Sequence, residues 1–107
     1  MFNQCVDMKI NLSNINASNV EYVNTMFSKC RLKKLDISSL SMTNIKEADY
    51  MFSDSKIDEL NMGTLKSNKI LRILNIFEDS NIEKLITTDK KILTLWNIQR
   101  EKIKAAV

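Results

Sequence analysis

The side chains that most enzymes use to move protons or attack carbonyl groups are scarce in this 107-residue chain. Histidine is absent, which removes imidazole general bases, Ser–His and Cys–His nucleophile pairs and imidazole metal ligation. Gly63 is the single glycine, so no Gly-rich phosphate loop can form. The 13 acidic residues are dispersed, and no pair of them stands out for general acid–base work. The two cysteines, Cys5 and Cys30, stand 25 positions apart. If these positions stack at about the 4.8 Å spacing of adjacent parallel strands, a disulfide is within reach on distance. Ser55 and Ser80 continue the same spacing, which favours a small buried side chain and two reduced thiols. The residue inventory therefore points away from catalysis, and no cofactor or metal is expected.

The 25-residue spacing runs through the chain and sets the elements that position everything else. Met1-Phe2 recurs as Met26-Phe27, Met51-Phe52 and Ile76-Phe77. Ile10, Leu35, Leu60 and Leu85 form a second column, and Val20, Ile45, Ile70 and Leu95 a third. Within a unit, Leu32, Leu35 and Ile37 alternate with polar neighbours in the manner of a strand with one buried face. Val20, Val23, Met26 and Phe27 have the spacing of one helix face. Ser18 to Glu21 and Asn44 to Glu47 fit a capping box at a helix start.

A unit of this size cannot bury its own apolar side, but stacked copies cover one another. The expected fold is an α/β solenoid of about four 25-residue strand-turn-helix units, over residues 1–25, 26–50, 51–75 and 76–88 of a single domain. A helical cap over residues 89–107 completes it, with Ile92, Leu95, Trp96, Ile98 and Ile103 as its apolar stripe and Thr88 or Asp89 as its N-cap. The alternative is a small all-α bundle with longer helices at Ile70–Phe77 and Lys90–Lys104. Strands are expected near residues 10–12, 35–37, 60–62 and 85–87.

The stretch Met26-Phe27-Ser28-Lys29-Cys30-Arg31-Leu32-Lys33-Lys34-Leu35-Asp36-Ile37-Ser38, with Ala17-Ser18-Asn19-Val20 before it, resembles the BspA-type leucine-rich repeats. The resemblance covers roughly residues 1–88 and is clearest in the first three units. It implies a leucine-rich-repeat fold and a role in protein contact, in a family whose members are mostly surface proteins of bacteria and protists.

Charge and composition narrow the class of partner. Net charge is +3, with basic and acidic residues interleaved, which argues against nucleic acid as the main ligand because phosphate affinity needs basic side chains gathered on one face. No apolar run is long enough to span a membrane. The first residues carry no secretion-signal pattern, which places the chain in the cytoplasm, or at a surface if it is part of a longer repeat protein. Lys, Asn and Ile dominate the composition, in keeping with an A/T-rich genome.

Two readings of function follow. One is a non-enzymatic protein-binding module. The other is a small intracellular inhibitor of phage type, blocking a host defence enzyme in the way of an anti-CRISPR protein. The candidate contact residues are the outward strand positions Lys9, Asn11, Lys34, Asp36, Glu59, Asn61 and Lys84, with Lys33, Asp58 and Glu83 flanking them. The N-terminal end, through Met1, Phe2 and Leu12, is a second candidate contact, for a homodimer or for the partner, because an uncapped strand edge beside an apolar end invites pairing.

Overall fold

The spacing of leucine and isoleucine decides where the strands lie. Leu32, Leu35 and Ile37 are buried, as are Ile57, Leu60 and Met62. The side chains between them face outward. A computed structural model describes residues 20–38, 44–63 and 65–105. It contains strands β1 (Arg31–Asp36), β2 (Lys56–Gly63) and β3 (Asn81–Thr87) in one parallel sheet of that order. Arg31 pairs with Lys56 and Lys56 with Asn81; Leu35 pairs with Leu60 and Leu60 with Leu85. The register is thus the 25-residue spacing of the sequence, held because a slip of one residue would turn every buried leucine to solvent. The strand expected at residues 10–12 lies outside the described residues, as do Met1, Phe2 and Cys5.

Among the described residues the expected helices between the strands are absent, and this overturns the α/β solenoid of four strand-turn-helix units. Among the described residues there is one α-helix, α1 (Lys90–Ala105), and a single 3-10 turn at Ser67–Lys69. The described residues form a three-stranded parallel sheet closed by one C-terminal helix. Its radius of gyration, 12.8 Å, matches the roughly 13 Å of a compact chain of this length.

Backbone angles give the reason for the missing helices. Thr25, Tyr50 and Asn75 have φ of 56°, 56° and 50°, and Lys29, Asp54 and Asp79 have φ of 60°, 55° and 54°. A right-handed helix cannot pass through such residues. The chain instead makes overlapping turns, in which Met26 N–H donates to the Val23 carbonyl and Ser28 N–H to the Thr25 carbonyl. Its other N–H groups bond sideways to the next unit: Thr25 to Asp49 at 3.0 Å and Phe27 to Met51 at 2.9 Å. Val23, Met26 and Phe27 are buried as expected, but two turns in succession put them on one side. The Asn44–Glu47 stretch caps no helix either, since Glu47 forms parallel bridges to Tyr22 and Arg72. Arg72 lies inside the helix expected at Ile70–Phe77, so the all-α alternative fails as well.

Behind the sheet, Phe27, Phe52 and Phe77 form a continuous stack. Phe27 and Phe52 lie 5.7 Å apart and Phe52 and Phe77 5.9 Å, with rings nearly parallel. Cys30, Ser55 and Ser80 are all buried. The Ser55 and Ser80 hydroxyls donate to the carbonyls of Phe52 and Phe77 at 2.6 and 2.7 Å, which explains the preference for a small side chain there.

Helix α1 starts where the sequence indicates. Asp89 is its N-cap, with Oδ1 accepting from Ile92 N–H at 2.8 Å in the geometry an N-cap carboxylate favours. The helix buries Ile92 and packs Leu95 and Trp96 against the core, while Ile98 remains half exposed.

Candidate functional site

The outward side of the sheet collects side chains in columns, because parallel strands in register place equivalent residues side by side. Arg31, Lys56 and Asn81 form one column, Lys34, Glu59 and Lys84 another, and Asp36, Asn61 and Ile86 a third. Lys33, Asp58 and Glu83 are exposed between them. Glu59 sits at the centre: its Oε2 is 4.0 Å from Lys34 Nζ and its Oε1 is 3.3 Å from Lys84 Nζ. Lys34, Asp36, Glu59, Asn61 and Lys84 are thus brought into adjoining columns, with Lys33, Asp58 and Glu83 exposed beside them. Lys9, Asn11, Met1, Phe2 and Leu12 lie outside the described residues.

Charge on this face is unevenly placed. Strand β1 carries Arg31, Lys33 and Lys34 with Asp36, β2 carries Asp58 and Glu59 with Lys56, and β3 carries Glu83 with Lys84. Both signs are therefore interleaved across the face, with β1 the most basic strand. Two candidates have structural duties as well. Asp36 Oδ1 accepts from Ser38 N–H at 2.8 Å and from the Ser38 hydroxyl, and these bonds hold its carboxyl below the usual carboxylate range by favouring the charged form. Asn61 Oδ1 accepts from Gly63 N–H at 2.9 Å. Both side chains close the end of their own strand, and Gly63, at φ 57°, completes the second of these turns.

The opposite, turn-bearing side holds residues that sequence spacing alone did not single out. Asn24 Oδ1 accepts from Asp49 N–H at 2.7 Å, and Asp49 Oδ1 accepts from Leu74 N–H at 2.8 Å. Asp49 also pairs with Arg72 at 2.9 Å. The signal was present in the sequence as Asn24 and Asp49 in one 25-residue column, but it needs the sideways bonding of the turns to be understood.

Helix α1 covers the outer edge of β3. Gln99 Nε2 donates to the Ser80 carbonyl at 3.2 Å, Trp96 Nε1 to Ile82 at 2.9 Å and Arg100 Nη1 to Glu83 at 2.6 Å. Arg100 also lies over the Trp96 ring, 4.9 Å from its centroid. An edge treated in this way no longer offers those carbonyls to another strand. Asp89 ties the helix to the rest of the chain, since Ser67 donates to it from its N–H at 2.9 Å and from its hydroxyl.

No group of three or more Cys, Asp or Glu residues among the described residues could hold a metal ion. No helix there is long and apolar enough to cross a membrane. No curated protein and no solved structure shows significant similarity to the chain. A family model does match, over residues 1–96, a span that holds all three strands and α1 as far as Trp96, and the chain thereby belongs to the family described as Mycoplasma protein of unknown function, DUF285.

Proposed function

We propose that this chain is a non-enzymatic protein-binding domain whose sheet face makes the contact. The observation that carries this reading is the fixed array of Lys33, Lys34, Asp58, Glu59, Glu83 and Lys84 on three strands in register, backed by a buried core. Side chains held on strands lose less freedom on binding than side chains on loops. An interleaved array of both signs favours a protein partner with the complementary pattern, since complementary potentials set register and speed encounter. The same mixture of signs disfavours a polyphosphate backbone. The Met-Phe and Leu-x-x-Leu-Asp motifs, through their resemblance to BspA-type repeat proteins, support protein contact as the class of function.

The test is site-specific photo-cross-linking in extract of the source organism. A cross-linker in place of Lys33 or Glu83 should capture a defined protein, and one in place of Lys91 on α1 should not. Capture should be lost in the charge-reversed variant Glu59→Lys, Lys84→Glu. Identical capture from all three positions, or capture indifferent to the reversal, refutes the proposal.

A further inference from the structure

Each turn segment hands its N–H groups to the next. Val23, Thr25, Phe27 and Lys29 donate to the carbonyls of Glu47, Asp49, Met51 and Ser53 at 2.9–3.0 Å. Ala48, Tyr50, Phe52 and Asp54 donate to Arg72, Leu74, Ile76 and Glu78 at 2.8–3.0 Å. The matching donors of the third segment are Ile73, Asn75, Phe77 and Asp79, and their N–H groups have no acceptor among the described residues. They run beside a groove of about 120 Å³, with Asn75, Phe77 and Glu78 on one wall and Leu95, Ile98 and Lys102 on the other.

The side chains change at the same place. Where Leu71 and Leu74 stand, the earlier segments carry Glu21 and Lys46, paired at 3.4 Å, and Asn24 and Asp49, bonded to the segment that follows each. Leu71 is 80% exposed, Leu74 51% and Ile98 50%. Polar side chains used inside the stack thus give way to bare apolar ones at its last segment, beside the unpaired donors. Neighbouring apolar exposure of this kind marks a contact site when it lies along an open backbone edge.

We propose that this edge docks a peptide segment of another protein, folded into the same succession of turns as residues 72–78 and running parallel to residues 73–79. Its alternate carbonyls accept from the Ile73, Asn75, Phe77 and Asp79 N–H groups, and its apolar side chains lie on Leu74 and Ile98. The third segment itself shows what the edge accepts, because residues 72–78 are seated on the second segment by the same four bonds. The groove is too small for a cofactor-sized ligand, which needs roughly 300 Å³ or more, but it suits an apolar side chain between two walls. The site is separate from the charged sheet face, and either can fail without the other.

The experiment uses the full chain, labelled with ¹⁵N, and a synthetic peptide with the sequence of residues 70–79. Amide exchange at Ile73, Asn75, Phe77 and Asp79 should slow by at least about tenfold at saturating peptide, as expected when an open N–H gains an acceptor. Exchange at Thr25 and Phe27 should not change. Ile98→Glu and Leu74→Glu, both at half-exposed positions, should melt as the parent does and abolish the slowing. Equal slowing by a scrambled peptide, no slowing at the highest soluble peptide concentration, or full slowing in both variants overturns the proposal. Slowing that rises with protein concentration in the absence of peptide overturns it too, by making a second copy the occupant.

Discussion

Asp89 joins α1 to the 3-10 turn, and replacing it measures how firmly the helix is held. Its Oδ1 accepts from Ile92 N–H at 2.8 Å and its Oδ2 from Ser67 N–H at 2.9 Å, with the Ser67 hydroxyl 2.9 and 3.0 Å from the two oxygens. Loss of an N-cap costs about 1 kcal/mol. Loss of a charged acceptor from the buried Ser67 costs about 1–3 kcal/mol more. Asp89→Ala should therefore destabilise by about 3 kcal/mol, a large part of the roughly 5–15 kcal/mol that holds a domain of this kind folded. Asp89→Asn keeps one oxygen for the cap and turns an N–H₂ group toward Ser67 N–H, so it should cost about half as much.

Acid should reproduce part of this effect. Burial pushes the Asp89 carboxyl up, but hydrogen bonds from Ile92, Ser67 and Lys91 outweigh burial and hold it below the ordinary carboxylate value. With the folded-state pKa below the unfolded one, the ionised cap contributes fully above about pH 4. That contribution is lost as pH falls through the folded-state value. Urea unfolding at neutral pH and at about pH 3 should thus show a larger acid loss in the parent than in Asp89→Asn. An alanine variant within 1 kcal/mol of the parent, or equal acid sensitivity in the asparagine variant, refutes the clamp.

Three further outcomes are expected. Phe52→Ala should cost about 3–5 kcal/mol in denaturant unfolding and more than Phe77→Ala, because Phe52 loses ring contacts on both sides, to Phe27 and to Phe77. Gly63→Ala should cost about 1–3 kcal/mol in the same assay, since the backbone is at φ 57° and a Cβ would stand 2.7 Å from Ser38 Cβ. Asp49→Ala should cost about 1–2 kcal/mol by stranding Leu74 N–H, while Asp49→Asn, which keeps the acceptor oxygen, should recover about half of that in a thermal melt.

The sheet was legible in the sequence because its register is the sequence period. Leu35, Leu60 and Leu85 must stack for the face to be buried, so one column locates all three strands. The outward columns follow from alternation, and Asp89 as a cap follows from its place before an apolar stripe. The turns were not legible for two physical reasons. Over so few residues, Val23, Met26 and Phe27 satisfy a helix face and a double turn equally well. The left-handed positions are held by Thr25, Tyr50, Asn75, Lys29, Asp54 and Asp79, where glycine would have announced them. What holds those residues there is the sideways bonding between segments, which acts across about 24 residues of chain and leaves no local mark. The same distance hid Ser67 as the partner of Asp89 and Asn24 as the support of Asp49. Asp36 and Asn61 carried a local sign, a Ser or Gly two residues on, that marks a strand-end turn as well as an outward polar side chain.

Helix α1 treats the two halves of the last segment differently, and this bears on what the helix is for. On the strand half, Gln99, Trp96 and Arg100 satisfy the carbonyls of Ser80, Ile82 and Glu83. On the turn half, the same helix leaves the Ile73, Asn75, Phe77 and Asp79 donors without acceptors among the described residues and presents Ile98 and Lys102 across a groove from them. A helix that served only to close the core would gain by covering both, since an open backbone edge invites unwanted pairing. Its selective cover fits a wall that shapes the groove as well as a lid over β3. The two roles can be separated by experiment. Asp89→Ala loosens the whole helix, so it should weaken peptide-induced protection at Asn75 and raise exchange in β3 together. Ile98→Glu should remove the first effect and leave β3 exchange as in the parent. If Asp89→Ala raises exchange in β3 yet leaves peptide protection at Asn75 intact, α1 is a lid alone and forms no part of a docking groove.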